Sequence, residues 1–325
     1  MEYKQVSIIH TLYNKRNIMI HIACNIDNNY IMQCCTTLES VMYNNKEEQI
    51  VFHIIAKNLN NDARRTISEE VAKYHQQVHF YSYEISKSLP TFGSAHISTA
   101  AYLRLFTADI LPIEIHKVLY LDCDLIVNGP IKDLWNIDIT SYAVGAVEDM
   151  WSGKSCYYTR LEYPQEYTYF NSGVLLINLD YWRKSNLSNY SMKYASEHAE
   201  QLIFNDQDIL NALLYNKKLL IPFRWNIQDG HLRKKRRIRS QAIPKLLEEL
   251  RHPIIIHYTG HRKPWLYICL NPYKQLFFKY LDMTLWKGYR PAIPISWKIK
   301  TIIDKVLYTA HLKAKKYDDK NCITL

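Results

Sequence analysis

Short runs of apolar residues alternate with helical patterns through the first quarter of the chain. The predicted strands are residues 18–24, 50–56 and 78–81. Residues 31–43 and 62–73 are predicted helices, and Asp62 is the expected N-cap of the second one. Because strands alternate with helices, the pattern predicts an α/β fold in which a mostly parallel sheet is wrapped by helices.

The later part of the chain continues this pattern and places polar residues next to apolar strands. Further elements are predicted at residues 118–127, 169–179 and 254–257, as strands, and at residues 98–106, as a helix. Asp27, Asp122 and His257 each follow apolar strand residues. Ligands of parallel sheets lie at the carboxyl ends of the strands, so one cleft is expected to hold all three side chains.

Two carboxylates one residue apart, Asp122 and Asp124, interrupt the apolar run of residues 118–127. Acids in a buried strand are costly to desolvate unless a cation meets them. Asp-x-Asp at a strand end is a usual way to present oxygens to a divalent metal that also holds phosphates. The motif alone fits a solvated turn equally well, so its interpretation depends on the rest of the chain.

Residues 254–265 favour the metal interpretation. His257 leaves a β-branched strand and can offer a neutral imidazole to a metal. Gly260 lets the backbone approach a ligand closely, and Lys263 is a point charge suited to phosphate. A lone histidine is more often a hydrogen-bonded core residue, but glycine, lysine and Pro-Trp in this short span favour a ligand site.

Four consecutive polar residues, Asn205 to Asp208, open another predicted helix. Capping of the helix explains Asn205 or Asp206. It does not require Gln207 and Asp208 as well, so this segment is a candidate for functional side chains.

Composition and charge narrow the class of protein. The chain has 325 residues, of which 48% are hydrophobic and 22% charged, as in a folded protein with a large core. No run of 18 apolar residues predicts a transmembrane helix, and residues 1–17 are interpreted as a leader without a signal-peptide pattern. An odd number of cysteines, seven, without Cys-x-x-Cys indicates a reducing cytoplasm.

The net charge of +10 is concentrated in two basic segments. Residues 233–239 hold six basic side chains, and residues 283–325 form a basic, aromatic tail. From Trp297 onward, apolar residues spaced by three and four predict an amphipathic helix with a lysine-rich polar face. We expect this tail to attach the protein to the anionic inner face of the cytoplasmic membrane; the alternative is a helix packed on the domain.

Six segments in this order resemble glycosyltransferase family 8, in particular the bacterial lipopolysaccharide galactosyl- and glucosyltransferases. The matching segments are residues 22–30, 101–105, 118–127, 171–179, 206–211 and 257–265. The resemblance implies a GT-A fold over residues 18–282 and a cytoplasmic enzyme. It also implies retaining transfer of galactose or glucose from a UDP-sugar, with Mn(II) or Mg(II), to a lipopolysaccharide or lipooligosaccharide core.

The resemblance also assigns roles residue by residue. Metal ligands are implied at Asp122, Asp124 and His257. Nucleotide contacts are implied at Asp27, Asn29 and Tyr30, and diphosphate contacts at Gly260 and Lys263. Donor-sugar or acceptor positions are implied at Arg104, Asn171, Asp206, Gln207, His96 and Asp149. The chain departs from some relatives at Asn25-Ile26-Asp27, where they have a small residue and two acids, and this concerns nucleotide contacts only.

Retention of configuration leaves two mechanisms open. For double displacement the nucleophile is Asp206 or Gln207, and the sequence does not choose between them. Same-face attack with Gln207 as a polar stabiliser is favoured, because an amide is a poor nucleophile.

Three other classes of protein share some of these sequence features. A sugar nucleotidyltransferase normally has a Gly-rich phosphate loop, whereas this chain has eight glycines and none in residues 25–30. A glycogenin-like self-glucosylating enzyme shares the family pattern, and 26 tyrosines offer acceptors. A nucleic-acid-binding protein using residues 233–239 and the tail leaves Asp122, Asp124 and His257 unexplained, so no nucleic-acid partner is expected.

Overall fold

A seven-stranded sheet forms the centre of the protein in a computed structural model, which describes residues 19–85 and 99–318. The predicted leader, residues 1–17, lies outside the described residues. The strands are β1 (Met19–Asn25), β2 (Gln49–Ala56), β3 (Gln77–Ser82), β4 (Lys117–Leu121), β5 (Leu125–Val127), β6 (Val144–Glu148), β7 (Phe170–Asn178), β8 (Lys218–Leu220), β9 (Ile227–Gln228) and β10 (Ile255–His257).

The main sheet has the order β3-β2-β1-β4-β7-β6-β8. Neighbouring strands are parallel, except that β7 runs antiparallel to both β4 and β6. The predicted mostly parallel α/β sheet is therefore confirmed. The carboxyl ends of β1 and β4 lie at the same edge of the sheet, which is where a ligand cleft forms in such folds.

Residues 118–127 were predicted as one strand, and this is wrong. The chain leaves the main sheet at Asp122, turns, and enters β5, which pairs antiparallel with β10 in a second sheet of order β5-β10-β9. Leu125 of β5 lies opposite His257 of β10. The turn between the two sheets therefore carries both aspartates toward the histidine that lies far away in sequence.

The helices of the described residues are numbered in chain order, and all except the last pack around the main sheet. They are α1 (Ile31–Tyr43), α2 (Asn61–Ala72), α3 (Thr107–Ile110), α4 (Lys132–Trp135), α5 (Ser155–Arg160), α6 (Leu179–Lys184), α7 (Leu187–Glu197), α8 (Asp206–Leu214), α9 (Ile243–Glu249), α10 (Lys274–Leu281) and α11 (Ile295–Thr309). A 3₁₀ helix, Thr99–Phe106, precedes α3 where a helix was predicted. Successive residues of a strand point to opposite faces, so in β1 Ile22 enters one core cluster and Ala23 the other.

The N-cap predicted at Asp62 is wrong by two residues. Asn60 has an extended backbone, and its side-chain oxygen accepts a hydrogen bond from the Ala63 N–H at 2.8 Å. Asp62 lies in the first turn of α2, where its charge complements the helix dipole. Both residue types cap helices, and only the backbone geometry distinguishes them.

The C-terminal tail has an exposed helix and a buried end. No residue of α11 is buried, and Ile295, Ile299, Ile302, Ile303 and Val306 on one stripe are 52–76% exposed. The predicted amphipathic helix is therefore present, with its apolar side toward solvent.

Beyond α11 the chain returns to the domain. Tyr317 is buried and donates a hydrogen bond to Asp229 Oδ1 at 2.7 Å, and the Asp318 N–H donates to the Leu232 carbonyl at 3.0 Å. Hydrogen bonds from Tyr317 and Asp318 thus bind the part of the tail that follows α11 to the domain. Within residues 19–85 and 99–318, no helix is long and apolar enough to cross a bilayer.

Candidate metal and sugar-nucleotide site

Asp122, Asp124 and His257 converge at the carboxyl edge of the main sheet. One ligand atom from each lies within 4.8 Å of the others. Asp122 stays in place through its backbone N–H, which donates to the Gly173 carbonyl at 2.9 Å, and the Asp124 carbonyl accepts from the Tyr258 N–H at 2.9 Å. The structure thus brings together the three side chains that the sequence analysis predicted as metal ligands.

The imidazole of His257 is oriented by a neighbouring amide. Asn226 Nδ2 donates to Asn171 Oδ1 at 2.8 Å, so Asn226 Oδ1 faces His257 Nδ1 at 3.0 Å and accepts its hydrogen. Nε2 therefore presents a lone pair to the cluster, 3.0 Å from Asp124 Oδ1.

Asp124 Oδ1 is buried and has no hydrogen-bond partner among the described residues. Since His257 Nε2 also presents a lone pair, two acceptors face each other across 3.0 Å. A cation between them satisfies both. Two carboxylates and an imidazole together suit Mn(II), and the two carboxylates also suit Mg(II), so the residues fit the implied metal.

A glycine lies directly beneath this cluster. A Cβ atom on Gly173 would lie 2.2 Å from His257 Cε1 and 2.8 Å from Asp122 Oδ2. Neither atom can move without disturbing a ligand, so this position of β7 requires glycine.

Lys263 places its charge on the same cluster. Its ammonium donates to Asp124 Oδ2 and to the Tyr258 carbonyl, the latter at 2.9 Å. Burial alone would raise the pKa of Asp124, but the ammonium of Lys263 acts in the opposite direction and holds that pKa well below its usual range. Gly260, at the start of this loop, has φ +81° and open space around it, which suits close approach of a ligand to the backbone.

Arg104 is buried between two carboxylates. Nη2 donates to Asp122 Oδ1 at 2.8 Å and Nε to Asp206 Oδ2 at 2.9 Å, while Nη1 reaches Ser172 Oγ at 2.9 Å. Burial raises the pKa of Asp206 to about 6, although the guanidinium acts in the opposite direction. Arg104 therefore balances the negative charge beneath the metal ligands.

An amide network connects the metal cluster to the candidate catalytic residues. Gln207 Oε1 accepts from Asn171 Nδ2 and from the Ser172 N–H, both at 3.0 Å. Gln207 Nε2 and Asn171 Nδ2 donate to Asp149 Oδ2 at 3.3 and 3.2 Å. Burial raises the pKa of Asp149 to about 6 against these hydrogen bonds and that of the Trp151 N–H. Asp149, Asn171 and Gln207 thus form one rigid polar wall.

The polar segment that opens α8 does not cap it as predicted. Asn205 has a left-handed backbone with φ 45° and makes no side-chain cap hydrogen bond. Asp208 is fully buried and accepts from Arg160 at 2.8 and 2.9 Å, from Tyr169 and from two backbone N–H groups. Asp208 therefore orders the segment that presents Asp206 and Gln207.

The side of the cleft after β1 carries an aromatic pair. Tyr30 meets Trp265 edge-on with ring centroids 6.0 Å apart. Burial, then the charge of Asp124, raises the pKa of Tyr30 well above its usual value. Asp27 Oδ1 accepts from the Asn29 N–H at 2.8 Å, which shapes the turn before Tyr30. His96 lies outside the described residues.

Asn226 and Ser172 were missed by the sequence analysis, and Asn25 was named only as a departure from some relatives. Asn25, at the end of β1, has both amide atoms buried and without a hydrogen-bond partner among the described residues. Asn226 orients His257, and Ser172 contacts both Arg104 and Asp206. The available signal was a polar residue at a strand end for Asn25, and polar residues beside β9 for Asn226.

Comparisons with known proteins agree with this geometry. The profile of Glycosyl transferase family 8 matches residues 21–269. General stress protein A of Bacillus subtilis (strain 168) is 30% identical over 285 residues, 86% of this chain and 99% of that protein. Lipopolysaccharide 1,2-glucosyltransferase of Escherichia coli (strain K12) is 26% identical over 273 residues, 84% of this chain and 80% of that protein.

The fold is similar to that of the galactosyltransferase LgtC, solved in complex with donor and acceptor sugar analogs. The TM-score is 0.75 at 24% identity, over 86% of this chain and 100% of that chain. This likeness confirms the predicted GT-A type of sheet and helices. Because the family profile covers well over half of the sequence, the chain is a glycosyltransferase and belongs to glycosyl transferase family 8.

Proposed function

We propose that this glycosyltransferase moves galactose or glucose from a UDP-sugar, with retention of configuration, onto a lipopolysaccharide, lipooligosaccharide or related cell-surface glycan. The observation that carries the proposal is the convergence of Asp122, Asp124 and His257, with Asp124 Oδ1 buried and unsatisfied by the described residues. Mn(II) or Mg(II) held by these three residues would supply Lewis-acid stabilisation of the departing diphosphate.

The nucleotide is proposed to lie on the β1 side of the cluster. Tyr30 and Trp265 offer an aromatic surface for the base, and the unpartnered amide of Asn25 is placed to meet a polar edge of the nucleoside. Asp27 and Asn29 shape the turn next to it. Gly260 and Lys263 are proposed to bind the diphosphate, since that loop combines an open backbone with a positive charge held at the metal cluster.

The donor sugar is proposed to rest on the wall of Asn171, Gln207 and Asp149. Asp206 is held by Arg104 and Ser172, so its carboxylate oxygen Oδ2 is already engaged and is a weakened nucleophile. This supports same-face attack, in which Gln207 acts as a polar stabiliser of the oxocarbenium-like state. Isolation of a glycosyl-enzyme on Asp206 would overturn this preference in favour of double displacement.

The test of the proposed function is UDP release from UDP-galactose and UDP-glucose, with and without Mn(II). Metal-dependent release from one of them, lost in Asp124→Ala, is the expected result. Release by Asp124→Ala at the wild-type rate would contradict the metal assignment. Because hydrolysis without acceptor can be slow, truncated core oligosaccharides are included as acceptors in a second series.

A glycogenin-like self-glucosylating activity is the second candidate within the family. The same incubation distinguishes it, because self-glucosylation increases the mass of the protein in steps of one hexose. Salt-dependent binding to generic DNA without any sugar turnover would instead revive the nucleic-acid interpretation of the basic segments.

The tail is proposed to hold the enzyme peripherally at the anionic inner face of the cytoplasmic membrane. Helix α11 exposes its apolar stripe, while Lys298, Lys300 and Lys305 lie on the same helix. An exposed apolar face beside lysines complements an anionic lipid surface. Deleting residues 291–325 would not test membrane binding by α11 alone. The deletion also removes Tyr317, which donates a hydrogen bond to the buried carboxylate of Asp229.

A further inference from the structure

Trp151 lies two residues after Asp149 of the wall and has no role in the proposed donor chemistry. Its backbone N–H donates to Asp149 Oδ1 at 2.8 Å. The preceding N–H, of Met150, donates at 2.8 Å to the side chain of Gln228, which pairs with His257 in the second sheet. The backbone of Trp151 is therefore held next to Asp149, beside the candidate catalytic wall.

Three cationic side chains gather on this indole. Arg237 lies 4.6 Å from the ring centroid, Lys154 4.7 Å and Arg233 5.8 Å. Cation–π attraction holds such groups in place at modest cost in conformational freedom. We call Trp151, Lys154, Arg233 and Arg237 the Trp151 collar.

The charges of the Trp151 collar are only partly balanced. Arg233 donates to Asp229 Oδ2, with its Nε at 2.9 Å. In the described parts of the chain, neither Arg237 nor Lys154 forms an ion pair with a carboxylate. Both positive groups lie within 5 Å of the same ring centroid, so an anion bound beside the indole is attracted by both of them.

A pocket adjoins the collar. It has a volume of about 340 Å³, within the range of small-ligand sites, and begins at Gly153, whose N–H donates to the Arg237 carbonyl at 2.8 Å. Its other lining residues are Gln165, Glu166, Ile238, Arg239, Ser240 and Gln241. The amides and the hydroxyl of this lining suit a glycan. Glu166 belongs to the same lining and disfavours an anion inside the pocket, so negative charge is best placed at the collar.

We propose that the Trp151 collar is an acceptor subsite that recognises an anionic group, phosphate or carboxylate, on the glycan. The assignment of the ligand as the acceptor rests on the proposed function. The donor diphosphate has its own partners in Lys263 and the Asp122–Asp124–His257 cluster, whereas the collar adjoins Asp149 through the backbone N–H of Trp151. Arg237 and Lys154 bind the anionic group, and the neighbouring residues of the sugar chain extend into the pocket at Gly153.

The test is ligand-observed NMR with glucose, glucose 6-phosphate and glucuronic acid as probes, added to the full chain with UDP and Mg(II). Wild-type protein is expected to bind at least one anionic probe about tenfold more tightly than glucose. The Arg237→Gln and Lys154→Gln variants should each lose most of this preference. The matched control is Lys235→Gln, which removes an exposed charge of the same basic segment that does not contact Trp151.

A preference for glucose 6-phosphate assigns the collar to a phosphorylated acceptor, and one for glucuronic acid assigns it to a uronic acid. Equal binding of all three probes by the wild type would overturn the proposal, and so would a preference that both collar variants retain. The readout is binding and not turnover. A protein that shows the preference but releases no UDP from either donor, even with core oligosaccharides as acceptors, would contradict the proposed function and leave the collar as an anionic-glycan site.

Discussion

Two regions of the molecule depart from the usual pattern of burial in opposite ways. They are helix α11 and the floor of the cleft, which is formed by Arg104, Asp122, Asp124 and Asp206. The floor buries charged side chains, with Arg104 and Asp206 each less than 10% exposed, whereas α11 exposes isoleucines by more than half. On the floor, Arg104 pairs with Asp122 and Asp206, and Lys263 pairs with one oxygen of Asp124, whose other oxygen has no donor among the described residues. On α11, no part of the described chain covers the apolar stripe.

The difference indicates what each region lacks. A buried carboxylate oxygen without a donor requires a cation, and an exposed apolar stripe beside lysines requires an apolar, anionic surface. Natural proteins depart from local rules mainly where function demands it. The cleft therefore points to a small charged ligand, and the tail points to an extended surface.

The largest expected effect comes from removing the charge that balances the floor. Arg104→Gln leaves Asp122 and Asp206 buried without their shared guanidinium, so the free energy of unfolding should fall by about 3–5 kcal/mol. Urea denaturation measures it. Arg65→Gln is the matched control, because its ion pair with Asp62 is exposed, and it should change stability by less than about 1 kcal/mol. Equal effects in both variants would contradict the proposed balance of charge.

The second effect concerns the geometry of the ligands. Gly173→Ala forces a Cβ atom against His257 and Asp122, and a displacement of this size should lower turnover by about 100-fold. Initial rates of UDP release, with circular dichroism as a check of folding, provide the measurement. Gly129→Ala is the control, since its Cβ would lie 3.4 Å or more from Ile254 and should leave the rate unchanged. A fully active Gly173→Ala enzyme would show that the cluster is not the reacting centre.

The third effect concerns the tail. Ile302→Ser removes an apolar side chain that is 65% exposed, and membrane partitioning should fall by about tenfold, since burying such a side chain is worth about 1.5 kcal/mol or more. Sedimentation with vesicles of phosphatidylglycerol and phosphatidylethanolamine measures it. Ile113→Ser, at 64% exposure outside the tail, is the control and should sediment like wild type. The membrane proposal fails if Ile302→Ser also behaves like wild type.

The smallest effect lies in the sheet, away from both regions. His53 is buried between His21 and Tyr81, whose polar atoms lie 3.0 Å from its ring nitrogens, and burial lowers its pKa to about 3. Protonation thus favours the unfolded chain, whose histidine titrates near 6.5. As pH falls from about 6.5 to about 5.5, the wild type should lose about 1 kcal/mol of stability relative to His53→Gln. Urea denaturation at several pH values tests this, and parallel pH profiles for the two proteins would contradict it.

Much of the fold followed from local patterns. Helix α1 and strands β1 to β3 lie where apolar periodicity placed them, because α1, β1 and β2 bury apolar faces and β3 packs Val78 and Phe80 against the core. The error at residues 118–127 has a physical reason. Hydrophobicity reports burial, and both β4 and β5 are buried, but it does not report that they belong to different sheets.

The candidate site was predicted in outline only. Residue type and family resemblance identified Asp122, Asp124 and His257, which indeed converge. The roles of Asn226 in orienting the imidazole and of Gly173 in making space for it depend on contacts between segments far apart in the chain. Such contacts leave no periodic signal in a single sequence.

The most direct test of the central claim is a calorimetric titration of Mn(II) into the protein in the presence of UDP. The account predicts one bound metal ion per chain for the wild type, and binding weakened at least about 100-fold in Asp124→Ala and His257→Ala. Unchanged Mn(II) affinity in both variants would show that this cluster does not hold the metal, and would contradict the account.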